Sequence, residues 1–263
     1  MPSSIPLLSV ILPTYNSSRT LASCLSSLKQ NLADFSPGEV EVIAPARKSI
    51  DETRQMLVQF RDLKILDHDE VGIAPAYNLG VANSRGRSAV FLNSDDELGP
   101  GYLKKMVNLA FQREPDRHVV YSSVLFINSC GESLYTRNPA PYFSFIQKHY
   151  SIILHPNAIY PMVLLRKHPF EVLPGAPPKD REQVYELMKE AIWSRTSEVH
   201  YRYRIWSSSG TVMLAKRVNA PAPLRVKLVR LAGRLLVQSH ESHLVSRVIS
   251  RKLGRVSYWR QPT

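Results

Sequence analysis

The sequence predicts an α/β protein built on a mainly parallel sheet flanked by helices. In the first 130 residues, short apolar segments rich in branched side chains alternate with segments of helical period. Such alternation implies right-handed crossovers between parallel strands. One apolar run, 88–93, is followed by the adjacent carboxylates of Asp95 and Asp96. The sequence therefore places acidic side chains at the carboxyl edge of the sheet, where open α/β sheets bind ligands.

The elements of the first half follow from local patterns, taken in order along the chain. Buried strands are expected at 7–13, 39–45, 63–66 and 88–93, and a longer alternating strand at 118–128. Three of the helices between them have recognisable starts: a cap at Ser17 or Ser18, a capping box of Ser49 and Glu52, and a proline start at Pro100. A further helix is expected over 74–83.

The pattern becomes irregular after about residue 130, which predicts an α+β second half. Helices are expected over 142–152 and 179–194, and strands over 158–165 and 199–206. From Pro221 the composition changes to a basic amphipathic helix. We therefore expect one domain over 1–215, divided near residue 128, and a basic helical tail over 216–263.

The net charge of +12 is concentrated in this tail. Residues 216–263 carry eleven Lys and Arg against one acid, Glu241, whereas residues 1–215 are close to neutral. An apolar stripe over 224–236 with interspersed basic residues can lie on an anionic membrane surface. Packing of the stripe on the domain, with solvated charges, is the alternative. Nucleic acid is not an expected partner, because no nucleic-acid-binding motif accompanies the charge.

Composition favours a cytoplasmic protein, free or peripheral on the cytosolic face of a membrane. Cys24 and Cys130 form no disulfide framework and have no metal-binding spacing. The first residues lack the basic and apolar regions of a signal peptide. No window of about 18 apolar residues predicts a membrane span.

The carboxylates after the fourth strand indicate group transfer from a nucleotide diphosphate. Oxygen ligands there suit Mg²⁺ or Mn²⁺, and a divalent cation neutralises the charge that develops on a diphosphate leaving group. We expect Asp95 to be the metal ligand. Asp96 is a candidate substrate contact, a helix cap or a partner of Asp95, since acids also favour helix N-termini.

Three ordered motifs resemble the family 2 glycosyltransferases of the GT-A fold over residues 7–128. They are SVILPTYN at 9–16, GIAPAYNLG at 72–80, and FLNSDD at 91–96. The resemblance implies inverting transfer of a sugar from a nucleotide-sugar donor to a saccharide or lipid-linked acceptor, with a divalent metal. It also implies a nucleotide-sugar-binding half over 1–128 and an acceptor-side half over 129–215.

Site residues carried over from the family match unevenly. The resemblance implies that Asp95 binds Mn²⁺ or Mg²⁺ and that other residues contact the donor: Pro13, Thr14, Tyr15, Asn78 and Asn93. Arg47 is a further candidate donor contact, with a solvated loop as the alternative. It stands where the family has an Asp that binds the base, and reversing that charge changes what the pocket holds. Asn93 replaces the first acid of the family's Asp-x-Asp motif. Residues 49, 51 and 53 match the end of another family segment, but helix capping alone accounts for 49–53 and is the favoured interpretation. A structural hydrogen bond is the alternative for Asn78.

The general base is the least defined group. Inverting transfer needs a group that takes the proton of the attacking hydroxyl, and the register of the resemblance places Val184 where the family has an Asp. Asp180 and Glu182 are the candidates, with Glu186 if the register shifts. His155 loosely matches a family histidine on the acceptor side, and a structural histidine is the alternative. These departures motivate a competing hypothesis, a degenerate family member that binds a nucleotide sugar, a glycan or a partner enzyme without turnover.

Overall fold

The computed structural model describes residues 5–141, 153–172, 184, 186–187 and 189–205. The strands within these ranges are β1 (Leu8–Ile11), β2 (Val40–Arg47), β3 (Leu63–His68), β4 (Ser88–Phe91), β5 (Glu97–Leu98), β6 (His118–Ile127), β7 (Ser133–Arg137), β8 (Ala158–Pro161) and β9 (Ile192–Arg204). The helices are α1 (Ser18–Leu32), α2 (Thr53–Gln59), α3 (Ile73–Asn83), α4 (Tyr102–Ala110) and α5 (Met162–Lys167).

The first four strands form the parallel half of the sheet. Their order is β3-β2-β1-β4, and each neighbouring pair is parallel. Strand β1 lies in the middle and is fully buried, which explains its continuous apolar run. Helix α3 packs closely on β1 at Gly80, where any side chain would collide with Ile11. Because the four strands are parallel, their carboxyl ends meet at one edge of the sheet.

The second half extends the same sheet with mixed pairings. Strand β8 is antiparallel to both β4 and β6, and β9 runs parallel to β6. The short β5 pairs with the end of β9, and β7 pairs with β6. The segment after β4 is therefore joined to the end of β9, about 100 residues later in the chain.

Each face of the sheet supports its own apolar core. Helices α1, α2 and α4 cover one face, where Val10 and Leu12 point. Helices α3 and α5 cover the other, where Ile11 points. This alternation along β1 is the period of two that a strand imposes.

The structure confirms the α/β class and the elements predicted for the first half, and it corrects three details. Helix α2 begins at Thr53 with Glu52 as its N-cap, so the capping box of Ser49 and Glu52 is wrong. Residues 158–165 are a strand only to Pro161 and then form α5. Residues 192–194 belong to β9 and not to a helix, because they pair with β6.

Two predictions fall on other parts of the chain. The helix expected over 142–152 and the basic tail over 216–263 lie outside the described residues. Among the helices that the structure describes, none has the length and apolar character needed to cross a membrane.

Candidate active site at the carboxyl edge of the sheet

A cavity of about 340 Å³ opens at the carboxyl ends of β2 and β3. Charged groups of both signs contribute to its wall. From β2 and the following loop come Arg47 and Lys48, and from the end of β3 come Asp67, His68 and Asp69. A crevice beside the carboxyl ends of parallel strands is where open α/β sheets bind ligands.

The end of β1 lies beside this cavity. The Thr14 amide donates to the Pro45 carbonyl at 2.9 Å, and the Thr14 carbonyl accepts from the Arg47 amide at 3.1 Å. The Arg47 guanidinium lies over the half-exposed Tyr15 ring, 4.4 Å from its centroid, which is a cation–π distance. Tyr15 and Arg47, both predicted to contact the donor, are thus brought together.

The loop after β1 is tied to the loop after β2 through Asn16. Asn16 adopts a left-handed backbone conformation with φ of 47°, which asparagine tolerates better than most residues. Its amide donates to the Ser49 hydroxyl, and its side-chain oxygen accepts from the Ile50 amide, both at 3.0 Å. Ser49 therefore joins two loops instead of capping α2.

Asp51 caps two helices at once. One carboxylate oxygen accepts from the Ser18 amide of α1 at 3.0 Å, and the other accepts from the Thr53 amide of α2 at 3.1 Å. Partial burial acts to raise the pKa of Asp51, but the hydrogen bonds from Thr53 and Ser18 outweigh it and lower that pKa to about 2. Asp51 therefore has a structural role at the starts of α1 and α2, made by a different residue from the predicted capping box of Ser49 and Glu52.

Residues 93–96, called here the acidic loop, follow β4 at the same edge. Helix α1 packs against the loop: the Ser17 and Ser94 hydroxyl oxygens are 2.7 Å apart, and the Thr20 hydroxyl donates to the Ser94 carbonyl at 2.9 Å. Cys24 is buried, with its sulfur 3.6 Å from the Asn93 carbonyl oxygen. Burial and the nearby acids raise the pKa of its thiol, which agrees with the prediction of a small apolar core residue.

Asp96 is buried inside the loop, with only 1% of its surface exposed. Its carboxylate accepts hydrogen bonds from the Tyr201 hydroxyl and the Arg204 amide, both at 2.8 Å, and from the Asn93 side chain at 3.2 Å. Burial and the neighbouring Asp95 raise its pKa well above the usual range, against the effect of these hydrogen bonds. These contacts favour a structural role for Asp96 as a partner of Asp95, and they argue against direct contact between Asp96 and the substrate.

Asp95 is half-buried at the tip of the acidic loop. Its backbone carbonyl accepts from Nε of Arg204 at 2.8 Å. Arg204 itself is 3% exposed and forms an ion pair with Glu97. Neither Tyr201 nor Arg204 was predicted from the sequence, because both belong to β9 and reach the loop only through the fold.

The side chains of Asn93 and Asn78 are engaged within the protein. The Asn93 oxygen accepts from the Tyr77 hydroxyl at 2.7 Å. The Asn78 side chain donates to the Phe170 carbonyl and accepts from the Phe170 amide, both at 2.8 Å. For Asn78 this geometry favours the structural alternative, and for Asn93 it favours a role in fixing the loop.

The two candidate bases, Asp180 and Glu182, lie outside the described residues. Val184 is fully buried in the apolar core on the α3 side of the sheet, so that position offers no base. Glu186 is exposed, with one carboxylate oxygen 2.6 Å from Nζ of Lys189.

His155 belongs to a buried aromatic cluster with Tyr77, Phe91, Tyr160 and Phe170. The Tyr160 hydroxyl donates to the His155 carbonyl at 3.0 Å, so we assign the proton between Nδ1 and the Tyr160 oxygen, 3.2 Å apart, to Nδ1. Nε2 is buried with no hydrogen-bond partner among the described residues. Burial lowers the pKa of His155 to about 3, so the ring is neutral, as a structural histidine would be.

The oxygen ligands of the acidic loop fit a divalent cation whose remaining ligands come from substrate phosphate. The described residues contain no group of three or more His, Cys, Asp or Glu able to hold a metal without help. Mg²⁺ and similar ions are commonly held by one or two carboxylates together with substrate phosphates. Asp96 is occupied by internal donors, and Asp95, the other carboxylate of the loop, stays the predicted ligand.

The sheet, the cavity and the acidic loop define a GT-A-like protein, and solved structures agree. The mannosyltransferase of Pyrobaculum calidifontis in complex with GDP-Man and Mn²⁺ superposes with a TM-score of 0.62 at 15% identity, covering 95% of this chain and 77% of the other. Residues 1–349 of Staphylococcus aureus TarS in complex with UDP-GlcNAc give 0.60 at 21% identity, covering 96% and 78%. At these identities the likeness concerns the fold.

The chain belongs to glycosyl transferase family 2, whose family model matches residues 9–173. It is similar to the poly(ribitol-phosphate) beta-N-acetylglucosaminyltransferase TarS of S. aureus, with 29% identity over 60% of this chain and 28% of the relative. It is also similar to the Escherichia coli UDP-Glc:alpha-D-GlcNAc-diphosphoundecaprenol beta-1,3-glucosyltransferase WfgD, with 35% identity over 34% of this chain and 35% of the relative. The chain thus spans about a third of the length of these relatives.

Proposed function

We propose that this protein transfers a sugar from a nucleoside diphosphate donor to a saccharide or lipid-linked acceptor in glycan biosynthesis, with inversion at the anomeric carbon and with Mn²⁺ or Mg²⁺. One observation carries the proposal: the loop after β1 touches both parts of the edge. The Asn16 amide donates a hydrogen bond to Ser49, in the loop after β2 that borders the cavity, and Ser17 contacts Ser94 of the acidic loop. A base in the cavity and a diphosphate at Asp95 would therefore lie along one continuous surface.

Each part of that surface has a defined task. Pro13, Thr14 and Tyr15 would line the nucleoside, and Arg47 would present its guanidinium fork to the base. Asp95 would hold the cation with diphosphate oxygens, and a bound divalent cation neutralises charge on the leaving group. Asp96 orients the loop from behind through its contacts with Tyr201 and Arg204.

The reaction itself needs a proton acceptor on the acceptor side. The acceptor hydroxyl oxygen attacks the anomeric carbon while the bond from that carbon to the diphosphate oxygen breaks, and a carboxylate takes the hydroxyl proton. Asp180 and Glu182 remain our candidates for this group. The names of WfgD and TarS support acceptors that are lipid-linked saccharides or polymers, and a tail over 216–263 on an anionic membrane surface would suit the former.

The test is nucleoside diphosphate release in the presence of Mn²⁺, a panel of nucleotide sugars and saccharide or lipid-linked acceptors. We expect the wild type to release diphosphate from at least one donor and Asp95→Ala to lose that release. Asp34→Ala, at an exposed acid beyond the C-terminal end of α1, is the matched control and should behave as wild type. Absence of release from every donor would favour the competing hypothesis of a binding protein without turnover. Release that persists in Asp95→Ala would refute the assigned metal ligand.

A further inference from the structure

We propose that Arg204 is the positioning residue of the acidic loop, holding Asp95 where the cation and the diphosphate meet. The inference rests on the proposed function and concerns a residue outside the motifs of the first half. Arg204 ends β9, whereas Asp95 follows β4, so the two are 109 positions apart in the chain. Their contact is created by the pairing of β5 with β9.

The guanidinium of Arg204 uses all five of its N–H donors within the protein. Nε donates to the Asp95 carbonyl at 2.8 Å. Nη1 donates to two carbonyls of the turn after β6, and Nη2 donates to one hydroxyl of α1 and one carboxylate oxygen of β5. These four partners are Asn128 at 3.1 Å, Ser129 at 3.2 Å, Ser23 at 3.1 Å and Glu97.

This saturation fixes four segments relative to one another. The acidic loop, β5, the turn over 128–131 and helix α1 all bond to one planar group that is 3% exposed. The backbone of Arg204 adds a further contact, because its amide donates to Asp96 at 2.8 Å. A lysine would present a point charge with three donors and cannot reproduce the five-donor fork. Arg204→Lys should therefore loosen the loop while keeping the charge.

Arg202 supplies a matched control two residues away on the same side of β9. Its Nε lies 3.0 Å from the second Glu97 oxygen, an ion-pair distance without hydrogen-bond alignment. Its Nη2 donates to the Gly131 carbonyl at 3.0 Å. Arg202 thus contacts the same acid and the same turn as Arg204, through Glu97 and Gly131 and not through the acidic loop. Arg202→Lys tests the general cost of removing a guanidinium from this strand.

The experiment measures the affinity of the full chain for UDP and for GDP by calorimetry, with and without Mn²⁺. The measured quantity, called here the Mn²⁺ factor, is the nucleotide dissociation constant without Mn²⁺ divided by that with Mn²⁺. The metal-free dissociation constant is compared between variants on its own. We expect Arg204→Lys to reduce this factor about 10- to 100-fold, the usual effect of losing a partner that orients a ligand. Metal-free affinity should stay within about twofold, and Arg202→Lys should match the wild type. Hydrogen exchange of amides 93–97 should accelerate in Arg204→Lys only.

Other outcomes separate this inference from the proposed function. A wild type whose nucleotide binding ignores Mn²⁺ overturns the metal-dependent function and the positioning role together. A Mn²⁺ factor that survives Arg204→Lys, or that falls equally in Arg202→Lys, overturns the positioning role alone. If Arg204→Lys does not fold, Ser23→Ala removes one Arg204 partner at an exposed position. It should reduce the Mn²⁺ factor about two- to fivefold, and an unchanged factor counts against the proposal.

Discussion

The hydroxyl of Tyr201 offers a sharp test of how the acidic loop is held. Tyr201 is fully buried, and its hydroxyl donates to Asp96 at 2.8 Å while accepting from the Asn93 amide at 3.3 Å. Tyr201→Phe keeps the ring and removes only this bridge. The buried Asp96 oxygen then keeps only the longer hydrogen bond from the Asn93 side chain, and the Asn93 amide lacks its acceptor, so we expect the variant to be less stable than the wild type.

The magnitude follows from the two groups that each lose a hydrogen-bond partner. A hydrogen bond to a charged group contributes about 1.5–3 kcal/mol, and leaving a buried polar group unsatisfied costs about 1–3 kcal/mol. The amide of Asn93 is only partly buried and its hydrogen bond is long, so it contributes at the low end. We predict a loss of about 2–3 kcal/mol in the free energy of unfolding, or about 4–12 °C in Tm for a chain of this size. Urea unfolding monitored by tryptophan fluorescence measures it.

Tyr102→Phe is the matched control. Tyr102 is also fully buried, and its ring packs edge-on against Tyr201 with centroids 6.1 Å apart. Its hydroxyl accepts one long hydrogen bond from Ser122, at 3.5 Å. Removing it should cost less than about 1 kcal/mol. Equal losses in the two variants, or a smaller loss in Tyr201→Phe, would refute the reasoning that the Asp96 network stabilises the loop.

Three further predictions concern a histidine, the base pocket and the tail. Burial lowers the pKa of His155 to about 3, below an unfolded value near 6.5, so the unfolded chain binds one more proton between these limits. Between pH 6.5 and 4, His155 should therefore lower the free energy of unfolding by about 1.4 kcal/mol for each pH unit of acidification. Urea unfolding of His155→Phe over this range should show a correspondingly weaker dependence of that free energy on pH. An unchanged slope would contradict the neutral assignment. Arg47→Asp should shift the calorimetric GDP/UDP affinity ratio about tenfold toward UDP, because a guanidinium fork matches the paired acceptors of guanine; a constant ratio would place Arg47 away from the base. The full chain should sediment with vesicles rich in phosphatidylserine and be released by high salt, whereas no preference over neutral vesicles would exclude a membrane role for 216–263.

Much of the first half was predictable because its signals are local. The continuous apolar run of β1 and the apolar stripe of α1 are set by neighbouring residues in the sequence. Boundaries were less certain where patterns overlap. The apolar run over 158–165 reads equally well as strand or helix, and the antiparallel register with β4 decides where the strand ends.

The interior of the candidate site could not be predicted for a different reason. Asp95 and Asp96 are adjacent and chemically alike. We predicted from the sequence that Asp95 is the metal ligand, but the sequence does not show which residues hold Asp96. The structure distinguishes them through Tyr201 and Arg204, more than 100 positions away, which bury one acid and leave the other at the tip. Those contacts depend on β5, a strand of two residues that has no signal of its own.

The central claim is that Asp95 holds the cation that meets the donor diphosphate. The most direct measurement is a crystal structure of the full chain with Mn²⁺ and UDP or GDP, with anomalous data collected at the manganese edge. We predict an anomalous peak within about 2.5 Å of an Asp95 carboxylate oxygen and of diphosphate oxygens, with Asp96 still bonded to Tyr201. Bound nucleotide with manganese at another residue, or with no manganese, would contradict the account.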